Sequence, residues 1–227
     1  GKGEILSLWP EYLDEKRLAV AETAFECVRK ELARQIVIVQ NMFSKSVDLI
    51  SNFKDTKKNE VDYIEFVVDT LRREIGNYLC NISESSLTPE SSRKLFLLSQ
   101  LTDDIERIGD HALGLALLSE RKHRRKINFT EMGKSDLKEF ITLVAKNLED
   151  AASLIDNKDE ETIKGIFERE NQIDLLEKEL KEKHLERFYK RICHAEAGPI
   201  FIEMLIRLER ISDHCENIAE YIQDLKE

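Results

Sequence analysis

Apolar residues recur three and four positions apart along almost the whole chain, and this spacing restricts its fold more than any other feature. Val28, Leu32, Ile36, Val39 and Phe43 follow it, as do Val61, Ile64, Val68, Leu71, Ile75 and Leu79. Near the other end Phe201, Leu205, Leu208, Ile211, Cys215, Ile218, Ile222 and Leu225 repeat it. Residues so spaced share one face of an α-helix, so each stretch needs a partner surface to bury its stripe. Only 8 Gly and 3 Pro interrupt 227 residues, of which 35% are charged and 41% hydrophobic. That composition is too charged for an all-β domain, and the regular apolar stripes exclude wholesale disorder. The expected class is all-α, with six antiparallel helices near 14–53, 59–82, 89–120, 131–156, 159–191 and from 198 onward. Thr88 and Pro89 supply an N-cap and a first helical residue for the third.

The order of these helices is set by an internal repeat. Glu106-Arg107-Ile108-Gly109-Asp110-His111 matches Glu209-Arg210-Ile211-Ser212-Asp213-His214 at every position but one. The same offset pairs Leu97 with Ile200, Leu101 with Met204, Ile105 with Leu208 and Leu115 with Ile218. A weaker echo precedes each copy, Val61-Asp62 in the second helix and Ile173-Asp174 in the fifth. The chain therefore reads as two tandem three-helix bundles: a junction segment 1–13, a first repeat 14–120, a basic connector 121–130 and a second repeat 131–227.

Charge and cysteine usage narrow the function classes. A net charge of −10 argues against nucleic-acid binding, which relies on a basic footprint. Cys27, Cys80, Cys193 and Cys215 lack metal-ribbon or redox spacing and read as thiols of a reducing compartment. No apolar run approaches the roughly 18 residues of a membrane span, and no signal peptide is evident, so a cytoplasmic location is expected. The chain opens Gly1-Lys2-Gly3 without Met, as a piece of a longer protein would. Arg121-Lys122-His123-Arg124-Arg125-Lys126 forms a basic run able to meet phosphate, lipid headgroups or a partner protein, though solvated connectors are the commoner outcome.

The chemistry lies in the repeated motif. Glu106 and Asp110 stand one helical turn apart, as do Glu209 and Asp213. Like charges so placed repel by a few tenths of a kcal/mol, so their duplication calls for a compensating cation or arginine. Carboxylates are hard ligands suited to magnesium, calcium, manganese and iron, and they also serve zinc. One pair offers too few oxygens, and a second helix must add more. The fifth helix adds Glu170 and Asp174 at the same spacing. The second offers Asp62, but Lys58 stands one turn before it, so the first half is expected to be the less complete. Arg107 and Arg210 compete for the same acids. His111 and His214 read as bundle-edge residues before ligands, and Cys215 as core.

On these residues the sequence resembles the PhoU domain family. Glu106-Arg107-Ile108-Gly109-Asp110 and Glu209-Arg210-Ile211-Ser212-Asp213 look like that family's paired acidic signature, and the resemblance runs through nearly the whole chain. It implies two similar three-helix bundles side by side, carrying multinuclear iron or zinc clusters and no organic cofactor. Carried over, the metal ligands would be Glu106, Asp110, Glu170, Asp174, Glu209 and Asp213, with Asp62 also matching. Trp9-Pro10-Glu11-Tyr12-Leu13-Asp14-Glu15 resembles the junction after the membrane part of bacterial sodium–phosphate cotransporters.

The implied function is a non-enzymatic regulatory module linked to phosphate uptake, as the cytosolic domain of such a cotransporter or as a stand-alone phosphate-signalling regulator. Its partners would be a transporter membrane domain or a phosphate-signalling protein, with homo-oligomers also open. A carboxylate di-metal enzyme needs Glu-x-x-His from two helices, and the one such sequence is Glu120-Arg121-Lys122-His123 in the basic run. A plain scaffold whose acids are met by arginines is the third alternative.

Overall fold

The computed structural model describes residues 7–83, 87–193 and 196–225. Residues 1–6 of the expected junction segment, 84–86, 194–195 and 226–227 lie outside them. Six α-helices and one 3₁₀ turn make up the regular structure, and no strand occurs among the described residues. The helices are α1 (Ala21–Ser51), α2 (Asp55–Ser83), α3 (Pro89–Arg124), α4 (Glu131–Asp156), α5 (Glu160–Tyr189) and α6 (Ala197–Asp224).

Local chemistry fixes most of the ends. Thr88, Thr130 and Asp159 each cap a helix by accepting from the amide three residues on. Three ends differ from the sequence expectation, one of them the start of the second helix, at Asp55 and not near Asn59. The first helix starts at Ala21 and not at Asp14, because Asp14 caps its own 3₁₀ turn (Glu15–Arg17) and Val20 is extended. The third runs on through Arg124, so the basic run begins inside it. Arg121, Lys122, His123 and Arg124 occupy the last turn, where cations favour the exposed carbonyls of a helix C-terminus. Lys126 and Arg191 then take left-handed backbone, φ 54° and 55°. The amides of Ile127 and Ile192 fold back onto the carbonyls of Lys122 and Arg187, closing α3 and α5 alike.

Helices α1, α2 and α3 pack against one another, and so do α4, α5 and α6. The two sets meet along α3 against α6 and α1 against α4. Buried side chains from all six helices form one continuous apolar core. Burial of the apolar stripes is the main driving force, at about 25 cal/mol per Å² removed from water. No helix among the described residues is long and apolar enough to cross a membrane.

The α3–α6 contact carries an approximate twofold axis. The His111 and His214 rings, equivalent in the repeat, stack with centroids 5.5 Å apart. Asp104 accepts from Asn217 Nδ2 at 3.0 Å and lies 2.5 Å from His214 Nδ1. The equivalent pair is Arg207 and Gly114, and there the arginine stem lies across the glycine at a distance that leaves little room for a Cβ. The helices thus run antiparallel, and the acidic motifs flank the axis on either side. Residues before α1 fold back on the first bundle. The amides of Glu11 and Tyr12 both donate to buried Glu31 at 2.8 Å, and Arg34 binds Glu31, Glu11 and the Ser7 carbonyl.

Candidate metal centres on the two bundles

In the first bundle the acids that converge are Glu65 and Asp69 on α2 and Asp110 on α3, with carboxylate oxygens all within 4.8 Å of one another. Among the described residues no other three potential ligands meet so closely. Glu65 and Asp69 are one turn apart, as Glu106 and Asp110 are on α3. Burial raises the Glu65 carboxyl above its usual range, and Asp69 and Asp110 raise it further. Glu106 is raised by burial and by Asp110, against the pull of Arg107 and Arg72.

Asp62 lies apart from this cluster, in an ion pair with Lys58 one turn before it. The first half is not the poorer one. Its converging α2 acids, Glu65 and Asp69, lie about two turns beyond Lys58 and Asp62, where Val68 faces the core just before Asp69, as Ile173 does before Asp174.

In the second bundle α5 presents Glu170 and Asp174, and α6 presents Glu209, Asp213 and Glu216. Glu170 is only 5% exposed and accepts from the Ser212 hydroxyl, while its Oε1 is buried with no partner. Burial pushes its pKa up to about 7. The Ser212 bond opposes this rise, and Asp213, Glu216 and Asp174 reinforce it. Glu209 is likewise pushed up to about 7, by burial and then by Asp213, with Arg210 pulling against Glu177 and Asp174. Glu216 is raised by burial, Glu220, Asp213 and Asp174. These residues sense one another as a single acidic patch.

Arginines do not balance the acids. Arg107 lies 3.3 Å from Asp110 and 3.8 Å from Glu106, and Arg210 lies 2.9 Å from Asp213 and 3.6 Å from Glu209. Both arginines are more than half exposed, where ion pairs contribute at most about 1 kcal/mol. Glu209 remains raised despite Arg210.

Behind Glu170 stands a polar chain that the first bundle lacks. Arg169 donates to Asn147 Oδ1 at 2.5 Å, Asn147 Nδ2 donates to Ser212 Oγ at 2.8 Å, and Ser212 donates to Glu170. The first-half equivalent of Ser212 is Gly109, and a Cβ there would meet Val68 at 3.4 Å. The histidines lie away from the acids. Burial, then the neighbouring His214, lowers the His111 pKa to about 4, and Cys215 is fully buried in the core.

An all-carboxylate donor set fits a hard cation. Three oxygens within 4.8 Å match the span of ligands bonded to one ion at 2.0–2.6 Å. The unpartnered Glu170 Oε1 and the raised carboxyls are what a site left short of positive charge shows. Of the residues expected from the sequence, the structure brings Asp110 into the close cluster, and it places Glu170, Asp174, Glu209 and Asp213 in the acidic patch of the second bundle. Glu65, Asp69 and Glu216 were not among the expected residues, although the Glu65-x-x-x-Asp69 spacing was there to be read.

Known proteins share this architecture. The phosphate-specific transport system accessory protein PhoU homolog 1 of Thermotoga maritima is 23% identical over 202 residues, covering 88% of this chain and 86% of the relative. The PhoU homolog of Clostridium acetobutylicum is 23% identical over 211 residues, covering 86% and 91%. In structure, PhoU from Pseudomonas aeruginosa aligns with a TM-score of 0.82 at 20% identity, covering 88% of this chain and 95% of that one. The phosphate transport system regulatory protein PhoU from Streptococcus pneumoniae gives 0.79 at 16% identity, covering 91% and 96%. These likenesses establish the fold. The PhoU domain family profile matches residues 23–117 and 137–222, one stretch in each bundle, and the chain therefore belongs to the PhoU domain family.

Proposed function

We propose that this chain is a non-enzymatic accessory regulator of phosphate uptake that holds metal ions on its two acidic surfaces. The observations that carry the reading are the close convergence of Glu65, Asp69 and Asp110 in the first bundle and the partly buried acidic patch around Glu170 and Glu209 in the second, on a fold whose relatives are named phosphate-specific transport accessory proteins. Iron and zinc are the expected metals, and the hard donor set favours iron of the two. The working partner is a phosphate transporter or a phosphate-signalling protein in the cytoplasm.

The accessory-regulator reading is favoured over a cotransporter's cytosolic domain. The matched relatives are named accessory proteins. The stretch 9–15 that suggested a cotransporter junction belongs to the segment tied to α1 through Glu31 and Arg34. The di-metal enzyme reading loses ground at its own motif, where Arg124 binds Glu120 at 2.7 Å and His123 stacks on Phe53.

Deletion of the gene tests this reading through phosphate uptake and phosphate-responsive transcription. Loss should derange one or both, the wild-type gene should restore them, and Glu65→Gln/Asp69→Asn combined with Glu170→Gln/Asp174→Asn should not. Unchanged uptake and transcription after deletion would rule the reading out.

A further inference from the structure

We infer that the cleft between the end of α1 and the start of α4 binds a small organic phosphate of the nucleotide class. The cleft has a volume of about 730 Å³, within the range of roughly 300–1,000 Å³ typical of small-molecule sites. Lys122, Lys134 and Lys138 line it, on a protein whose net charge is −10. Its floor is apolar, formed by Val47, Ile50, Leu137 and Ile141.

The lysines are short of counter-charge. Lys134 pairs with Glu131 at 2.6 Å, and Asp48, the acid in the cleft wall, is taken by Lys57. Lys138 has no ion pair among the described residues. Lys122 is half-buried without a carboxylate, its Nζ 3.1 Å from the Ile50 carbonyl and 5.3 Å from the Phe129 ring centre. Burial, then Lys134, lowers its pKa, as expected for a cation held where an anion is missing. A multiply charged anion would answer all three lysines at once. Inorganic phosphate alone would leave the apolar floor uncovered, whereas a ligand with an anionic end and a flat apolar body would use both. Because its walls come from both bundles, an occupant would bridge them. The inference is independent of the acidic surfaces and of the phosphate-regulation reading.

Calorimetric titration of the full chain with ATP in EDTA tests it, since chelation prevents metal bridges to the acidic surfaces. Saturable one-to-one binding is expected, weakened at least about tenfold by Thr142→Glu, which sets an acid on the exposed cleft wall, and by Lys138→Gln. Both substitutions are at exposed positions of α4, and unchanged melting curves will confirm that the variants fold. Inorganic phosphate should bind at least about tenfold more weakly than ATP. Three results would each overturn the inference: no saturable ATP binding by about 1 mM, equal affinity in wild type and both variants, or phosphate binding as tightly as ATP.

Discussion

Ser212→Ala should lower the stability of the metal-free protein by about 2–4 kcal/mol at pH 8, read from the urea midpoint. The hydroxyl serves two buried partners, accepting from Asn147 and donating to Glu170. Its loss strands a donor on Asn147, which is 0% exposed, and removes the one hydrogen bond made by Glu170. Each stranded buried group costs about 1–3 kcal/mol, more when charged. Gly109, at the equivalent place in the first bundle, has no such duty, because its neighbours are Val68, Met42 and Val39. A loss below about 1 kcal/mol would show that the chain Arg169–Asn147–Ser212–Glu170 is not a coupled network.

Glu170→Gln acts in the opposite direction and should stabilise the metal-free protein by about 2–3 kcal/mol at pH 8. The reasoning is linkage. The folded pKa of Glu170 is near 7 and the unfolded value near 4.5, so the folded state holds the proton more tightly. Its contribution is therefore fully present below pH 4.5 and is lost as pH rises through about 7. At about 1.4 kcal/mol per unit, the shift sets an upper limit near 3 kcal/mol. Glutamine keeps an acceptor for Ser212 and never ionises. Its advantage should shrink toward zero at pH 5.

The comparison must be made against wild type at each pH, because the histidines work the other way. His111 and His184 have lowered pKa values, so their stabilisation is lost as pH falls below their unfolded range near 6.5. The difference between wild type and Glu170→Gln cancels that background. An advantage that is constant with pH would mean that Glu170 is not the titrating group. Combining Ser212→Ala with Glu170→Gln should leave the protein more stable than the sum of the two opposed effects, since the lost Ser212 bond then strands no charge.

What could be read without coordinates was whatever rests on periodicity. The apolar stripes of α1, α2 and α6 predicted helices because a stripe leaves a linear trace, and α4 was expected where it lies. The α3 end was misjudged because a run of cations reads equally as a solvated connector and as the favoured last turn of a helix. The acids of α3, α5 and α6 were visible through the repeat. Those of α2 were not, because the two-residue echo Val61-Asp62 drew the register about two turns too early, and only packing shows which α2 acids meet Asp110. The His111–His214 stack, the fold-back of residues 11 and 12 onto Glu31 and the Asn147–Ser212–Glu170 chain join residues far apart in sequence. Nothing local marks such contacts, and Ser212 stood out only as the single mismatch in the repeated motif.

The proposal that converging carboxylates on the two bundles hold cations is tested most directly by calorimetric titration of chelator-stripped protein with Mn²⁺, a hard ion that needs no anaerobic handling. Saturable binding is expected in wild type. Glu65→Gln/Asp69→Asn should remove part of it, and adding Glu170→Gln/Asp174→Asn should remove the remainder while the helical circular dichroism stays unchanged. Wild-type protein that takes up no Mn²⁺, or variants that bind it with the same heat and stoichiometry, would contradict the assignment.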